Sequence, residues 1–149
     1  MFLDAHISLI TITIINILIV AIVVFIHHEA LSRLSGVLSR MRQSRHFRMS
    51  IAVFGILTAH AVQVWIFAFA YFVMHHADEW GHLAGNFTGS FLDCVYFSFA
   101  TFTTVGYGDI EPLGDLRFLT GIEGLTGLVL ITWSASFLFV EMQRYWPTR

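Results

Sequence analysis

Three long apolar runs alternate with polar stretches along this chain. Ile7 to Ile26 carries no charge, Ile51 to Met74 carries no acid or arginine, and Leu116 to Val140 is interrupted only by Arg117 and Glu123. A helix rises about 1.5 Å per residue and the hydrocarbon core of a bilayer is roughly 30 Å thick, so each run predicts one spanning helix. A fourth apolar stretch, Phe91 to Phe102, is too short to span and reads as a re-entrant helix. Ser90 followed by Asp93 predicts its capped start, with Gly85 and Gly89 supplying the turn before it. Behind it, Thr103 to Asp109 holds Gly106 and Gly108, and two glycines so close together forbid a stable helix.

The polar stretches fix an orientation. Arg33, Arg40, Arg42, Arg45 and Arg48 stand against the single acid Glu29 between the first two runs, so the positive-inside rule puts this segment in the cytoplasm and the N-terminus outside. The connection from His75 to Asp115 is acidic, as an external segment is, and Arg144 and Arg149 close the chain inside. Leu31, Leu34, Val37 or Leu38, and Met41 recur at helical spacing, with Arg33, Ser35, Arg40 and Arg42 largely elsewhere on the wheel. Two readings stand side by side there, an interfacial amphipathic helix and a solvated loop. Trp65, Trp80, Trp133 and Trp146 mostly fall near predicted helix ends, as interfacial aromatics do. The opening Met-Phe-Leu-Asp lacks a basic leader, so the first helix is expected to be retained.

Composition agrees with a membrane protein. Of 149 residues 56% are hydrophobic, lysine is absent and the formal net charge is −2, which leaves no polybasic face for nucleic acid. The lone Cys94 has no partner for an intrachain disulfide and reads as a packed thiol. No nucleophile–base constellation or phosphate loop is visible, so the chain is not expected to be an enzyme.

The glycine-bearing segment carries the chemistry. Irregular backbone at membrane depth survives only where protein buries it or where it lines a water- or ion-filled path. A cation entering a narrow pore must exchange its hydration shell for closely spaced oxygens, which backbone carbonyls supply. Turning successive carbonyls the same way needs unusual dihedrals at alternate residues, and Gly106 and Gly108 adopt them without a side-chain penalty. Thr104 can add a hydroxyl oxygen, while Val105 and Tyr107 would pack behind the strand. The C-terminal end of the short helix would also favour a cation at the cavity it faces.

Thr101-Phe-Thr-Thr104-Val105-Gly106-Tyr107-Gly108-Asp109 resembles the potassium channel signature Thr-x-x-Thr-x-Gly-Tyr-Gly-Asp at every defining position. The resemblance extends from about residue 50 to 141 and implies a two-transmembrane pore module: outer helix, pore helix, selectivity filter and inner helix. It divides the chain into residues 1–49, a first helix with a basic linker, and 50–149, the pore domain. It implies an all-α homotetramer in a lipid bilayer of the cell membrane, passing K⁺ and needing no organic cofactor. By the same resemblance Thr104, Val105, Gly106, Tyr107 and Gly108 bind the ion, Asp109 braces the filter against Tyr96, and Thr101 and Thr103 support it. Some relatives add a pore-helix carboxylate to that brace; this chain has Ala100 there. Gly127 aligns with the hinge glycine of the inner helix, with Leu128, Ile131, Ala135 and Phe139 toward the cavity; close packing is the alternative role for Gly127.

Glu123 is costly inside a membrane helix, by roughly 2.5–3.5 kcal/mol for a central charge, so it predicts a partner on the pore helix: Thr101, Thr103 or Ser98. His60 and Gln63, one turn apart, are expected to form interhelical hydrogen bonds together with Asn16, haem ligation being the remote alternative. Gly121, Gly124, Gly127, Ser134, Ala135 and Ser136 would permit close helix contact. His75, His76, Asp78, Glu79 and His82 form an external cluster that reads as a solvated turret, with zinc binding or pH sensing as the sharper alternative. Asn86-Phe-Thr88 has the form of a glycosylation sequon. The rival functions are a weakly selective cation pore, a histidine-bearing membrane metal or redox protein, and a non-conducting regulatory subunit. No helix has a voltage sensor's repeated arginines, so gating would come from lipid, tension, pH, a regulatory partner or the filter itself.

Overall fold

The computed structural model describes residues 2–77 and 80–145, with side chains from Leu9 to Arg144. The expectations placed on Asp78, Glu79, Trp146 and Arg149 lie outside the described residues. The described residues form four helices, α1 (Phe2–Arg40), α2 (Arg45–His75), α3 (Phe91–Phe102) and α4 (Leu116–Tyr145), with short strands β1 (Leu83–Gly85) and β2 (Ile110–Pro112). The architecture is that of an all-α membrane protein: α1, α2 and α4 are long and apolar enough to cross, and α3 is the short helix between two crossings.

Helix α1 is longer than its apolar run. At 39 residues it measures about 58 Å, well beyond the hydrocarbon core. The basic stretch is therefore neither a loop nor a separate interfacial helix; it continues α1 as far as Arg40. Nothing between Ile26 and Arg40 stops a helix: there is no proline, the one glycine, Gly36, is tolerated, and an i,i+4 pair at 2.6 Å joins Glu29 to Arg33. Leu31 and Leu38 are buried while Arg33 and Arg40 are exposed, so the amphipathic pattern is real and its apolar side faces protein. Residues 41–44 turn the chain into α2, where the Arg48 guanidinium donates to the Leu38 carbonyl at the end of α1.

Helix α3 sits at the centre of the packing. Its Cys94, Val95, Phe97 and Phe102 join Phe67, Tyr71 and Met74 of α2 and Leu116, Leu119 and Leu130 of α4 in one buried cluster, with Ile12 and Val23 of α1. Apolar side chains such as Ile17, Phe25, Phe54, Phe69 and Leu125 are exposed on the long helices, as surfaces meeting lipid or other subunits are. Trp65 and Trp133 lie well inside α2 and α4 rather than at helix ends, Trp65 against Phe91 and Trp133 against His27.

The helix starts where its cap was expected. Ser90 Oγ accepts from the Asp93 amide at 3.1 Å, which satisfies a donor the helix leaves free. Asp93 turns its carboxylate to Thr88, accepting from that residue's amide at 2.8 Å and hydroxyl at 2.6 Å. These bonds, the hydroxyl's first, hold its carboxyl below the usual range.

Strands β1 and β2 pair antiparallel, Leu83 with Pro112, Ala84 with Glu111 and Gly85 with Ile110. Three residues each, one run ending in proline, give no readable alternation, so the sequence offered no sign of them. Backbone bonds extend the pairing on both sides, Leu113 to His82 at 2.9 Å and Asn86 to Asp109 at 2.8 Å. The pairing thus closes the loop containing α3 and Thr103–Asp109.

Candidate functional site

Beyond α3 the backbone alternates. Thr104, Gly106 and Gly108 have φ of 59°, 53° and 77°, in the left-handed region. Glycine adopts this at no cost; at Thr104 a β-branched residue does so, an outlier that surrounding structure has to impose. The sequence pointed to the two glycines and missed Thr104, because threonine gives no sign of such a conformation. Part of the constraint is visible: the amides of Val105 and Gly106 both donate to the Ala100 carbonyl, at 2.9 and 3.1 Å, and Thr104 donates to Thr101 at 2.9 Å. The start of the segment is thereby moored to the last turn of α3.

Its far end is moored by side chains. Tyr96 donates its hydroxyl to Asp109 Oδ2 at 3.0 Å, the contact expected of that pair. The rings of Tyr96 and Tyr107 stack, with centroids 6.0 Å apart and planes 8° from parallel. Val105 and Tyr107 line one groove with Tyr96, Phe99, Ala100 and Thr103, so both lie toward α3. Thr103 donates its hydroxyl to the Phe99 carbonyl at 2.7 Å, within its own helix end, and the Thr101 carbonyl receives Thr104.

The strand pair presses on the same end. Gly85 has φ of 93°, and a Cβ built there would overlap the Asp109 carbonyl. Gly85→Ala is expected to destabilise the fold by at least about 1–2 kcal/mol from the backbone conformation alone, with the displaced Asp109 adding to it. Thermal unfolding beside Gly89→Ala, where a Cβ meets open space, checks this. Equal losses would show that only the backbone conformation matters.

Behind the loop, Glu123 is fully buried and bridges three elements. Ser98 of α3 donates to its Oε1 at 2.5 Å and Tyr71 of α2 donates to its Oε2 at 2.5 Å. Ser98 is one of the three partners expected, and Thr101 and Thr103 are not used. Tyr71 was missed; its signal was a hydroxyl-bearing aromatic deep in an apolar run, which needs a partner when buried. Four residues on, Gly127 faces the end of α3 so closely that a Cβ would overlap the Phe102 carbonyl. Leu128, Ile131, Ala135 and Phe139 recur at helical spacing along α4 and are all exposed within the subunit.

A second polar group links α1, α2 and α4. His60 Nδ1 lies 2.9 Å from Gln63 Oε1, and Gln63 Nε2 lies 2.9 Å from His27 Nδ1. Ser134 Oγ lies 3.4 Å from His27 Nε2 and 3.1 Å from His60 Nε2. The expected interhelical bonding of His60 and Gln63 is present, but Asn16 takes no part. Asn16 is fully buried and neither of its amide atoms has a partner among the described residues.

His75 and His76 serve the fold. His75 Nδ1 accepts from the Leu83 amide at 3.1 Å and its ring packs on Phe87, while His76 Nδ1 reaches the Phe72 carbonyl at 2.8 Å. Among the described residues no group of three histidine, cysteine or acidic side chains is placed to hold a metal ion.

Parts of this chain are similar to known proteins. Kirbac3.1, an inward rectifier potassium channel of Paramagnetospirillum magnetotacticum, is 37% identical over 57 residues, 38% of this chain and 19% of the relative. Two-pore potassium channel 4 of Arabidopsis thaliana is 45% identical over 49 residues, 32% of this chain and 17% of the relative. The chain thus matches less than a fifth of the length of either. A family model described as "Ion channel" matches residues 57–144, which take in most of α2, all of α3, the alternating loop and nearly all of α4. That match covers more than half of the chain, and on it the protein belongs to the ion channel family.

Proposed function

We propose that the chain is one subunit of a homotetrameric channel that conducts K⁺ passively, with Thr104–Gly108 as its selectivity filter. The observation that carries this reading is the alternation of left-handed φ at Thr104, Gly106 and Gly108 in a loop moored at both ends to α3. Alternate left- and right-handed residues turn successive carbonyls to the same side. Four copies around one axis stack those carbonyls into rings that replace the hydration shell of K⁺. Tyr107 stacked on Tyr96, and Tyr96 bonded to Asp109, resist changes in ring diameter, which a smaller dehydrated cation would require. The names of both relatives, as potassium channels, support the choice of ion.

In this reading residues from about 50 onward form the pore unit in the cell membrane, with the N-terminus outside and the C-terminus in the cytoplasm. Ser35 donates to Glu141 at 3.1 Å and Arg144 pairs with the same carboxylate at 3.2 Å, which puts the end of α4 beside the basic end of α1. Leu128, Ile131, Ala135 and Phe139 face the axis below the filter. The protein is a conduit with no turnover chemistry.

In liposomes with mixed K⁺ and Na⁺ gradients, the reversal potential is expected to follow K⁺, and barium to block the flux. Replacing Tyr107 by valine removes the ring that stacks on Tyr96, and is expected to lower the K⁺/Na⁺ permeability ratio about tenfold or more, the equivalent of about 1.4 kcal/mol. Sodium passing as readily as potassium through the unaltered protein would favour the weakly selective pore.

A further inference from the structure

The four residues His27, Gln63, His60 and Ser134 form a closed ring of hydrogen bonds, and their hydrogens can be counted. Gln63 Oε1 can only accept, so His60 donates from Nδ1; Gln63 Nε2 can only donate, so His27 accepts at Nδ1. A neutral His60 then has a bare Nε2, which accepts from the Ser134 hydroxyl. A neutral His27 carries its hydrogen on Nε2 and donates to Ser134 Oγ. Each ring nitrogen and the amide oxygen has one role, Ser134 Oγ both donates and accepts, and the second Gln63 amide hydrogen takes no part. Turning the Gln63 amide over reverses all four bonds and closes the ring equally well.

One extra proton leaves a donor without its acceptor. Placed on His60 Nε2 it faces Ser134 Oγ, whose two lone pairs can receive both imidazoles, but the serine hydrogen then loses its acceptor in the ring. Placed on His27 Nδ1 it faces the amide hydrogens of Gln63. The two imidazoles also stack, with centroids 5.3 Å apart and planes 28° from parallel, so a charge on one opposes a charge on the other.

Among the described residues no carboxylate or arginine is bonded to the ring. On α1 the next histidine, His28, is exposed and lies beside Trp133; α3 presents Phe102 to His60. On α4, Glu123 is bonded to Ser98 and Tyr71, and Glu141 to Ser35 and Arg144. On α2 the ring's own Gln63 is the polar neighbour of His60.

We propose that His27 and His60 form a proton-binding site, and that filling it releases the inner half of α4 from α1 and α2. His60 and Ser134 line an open, largely apolar groove of about 430 Å³ between α2, the end of α3 and α4, so the ring borders open space rather than packed core. Ser134 faces inward to the ring while Leu128, Ile131, Ala135 and Phe139 lie exposed. The closed ring therefore holds α4 away from the axis, and protonation lets it move toward the axis and narrow the inner entrance. Acid closes the pore. The effect on flux rests on the channel reading; the hydrogen pattern of the ring does not.

Two measurements test this. In ¹⁵N-histidine-labelled protein at pH 8, His27 and His60, assigned by difference from His27→Asn and His60→Asn, are expected to be neutral and of opposite tautomers. The same tautomer on both would overturn the ring whatever the protein conducts. In liposomes, K⁺ flux is expected to fall at least about fivefold between pH 8 and pH 4, the lower end of usual coupling. Ser134→Ala keeps both imidazoles and removes the link, so it should show the low flux at both pH values, while a variant with His75, His76 and His82 all replaced by asparagine keeps the response. An unaltered protein whose flux ignores pH, or Ser134→Ala responding as the unaltered protein does, would overturn the switch; absence of flux at every pH would count against the channel reading.

Discussion

Glu123→Leu is expected to leave the subunit unable to hold α3 in place. The carboxylate accepts from Ser98 on α3 and Tyr71 on α2, and it is carried by α4, so one side chain ties three helices behind the loop. Leucine fills similar space but accepts nothing. Ser98 keeps a second acceptor, the Val64 carbonyl at 2.9 Å, whereas Tyr71 falls back on a long 3.3 Å contact to Thr120. A buried donor without a partner costs about 1–3 kcal/mol, so a loss of about 2 kcal/mol or more is expected. Glu123→Gln, with an oxygen to accept from Tyr71 and an amide to offer Ser98, should lose much less. Thermal unfolding of the purified assembly, read with K⁺/Na⁺ selectivity, checks the pair. Normal assembly and selectivity in Glu123→Leu would show that the bridge does not support the proposed filter.

Gly127→Ala is expected to fail by a different route. The new Cβ would meet the Phe102 carbonyl, which belongs to the rigid end of α3 and cannot rotate out of the way. Either α4 withdraws or the end of α3 moves, and overpacking of this kind costs typically about 1–3 kcal/mol. Because Ala100 and Thr101, which hold the start of the loop, sit in that same last turn, the displacement reaches the proposed filter. Loss of stability and selectivity together would support the contact. Intact stability with an altered open probability would instead support a hinge at Gly127. Gly121→Ala is the control, since a Cβ there meets open space.

Much of the molecule was legible because the bilayer leaves the chain few options. Lipid cannot satisfy free peptide groups, so apolar length alone marked the three crossings, and Phe91–Phe102 was delimited to the residue by its cap and the glycines beyond it. The motif led to the contact between Tyr96 and Asp109, and the cost of a buried carboxylate led from Glu123 to α3, with Ser98 one of three partners named. Legibility ended where pairing is decided at long range. The extent of α1 past Ile26 was hidden because basic residues on a helix that buries Leu31 and Leu38 look the same, in sequence, as basic residues on a helix lying in the interface.

The sequence by itself determined that this is a helical membrane protein with one loop too rich in glycine to be helix, because both follow from local composition measured against a fixed hydrocarbon thickness. Only the tertiary structure decided which polar groups meet. His27 and Ser134 are 107 positions apart, and β1 and β2 are three-residue segments either side of α3. Such contacts depend on how helices are rotated and offset against one another. That follows from packing the whole cluster around α3 at once, and no window of the sequence contains it.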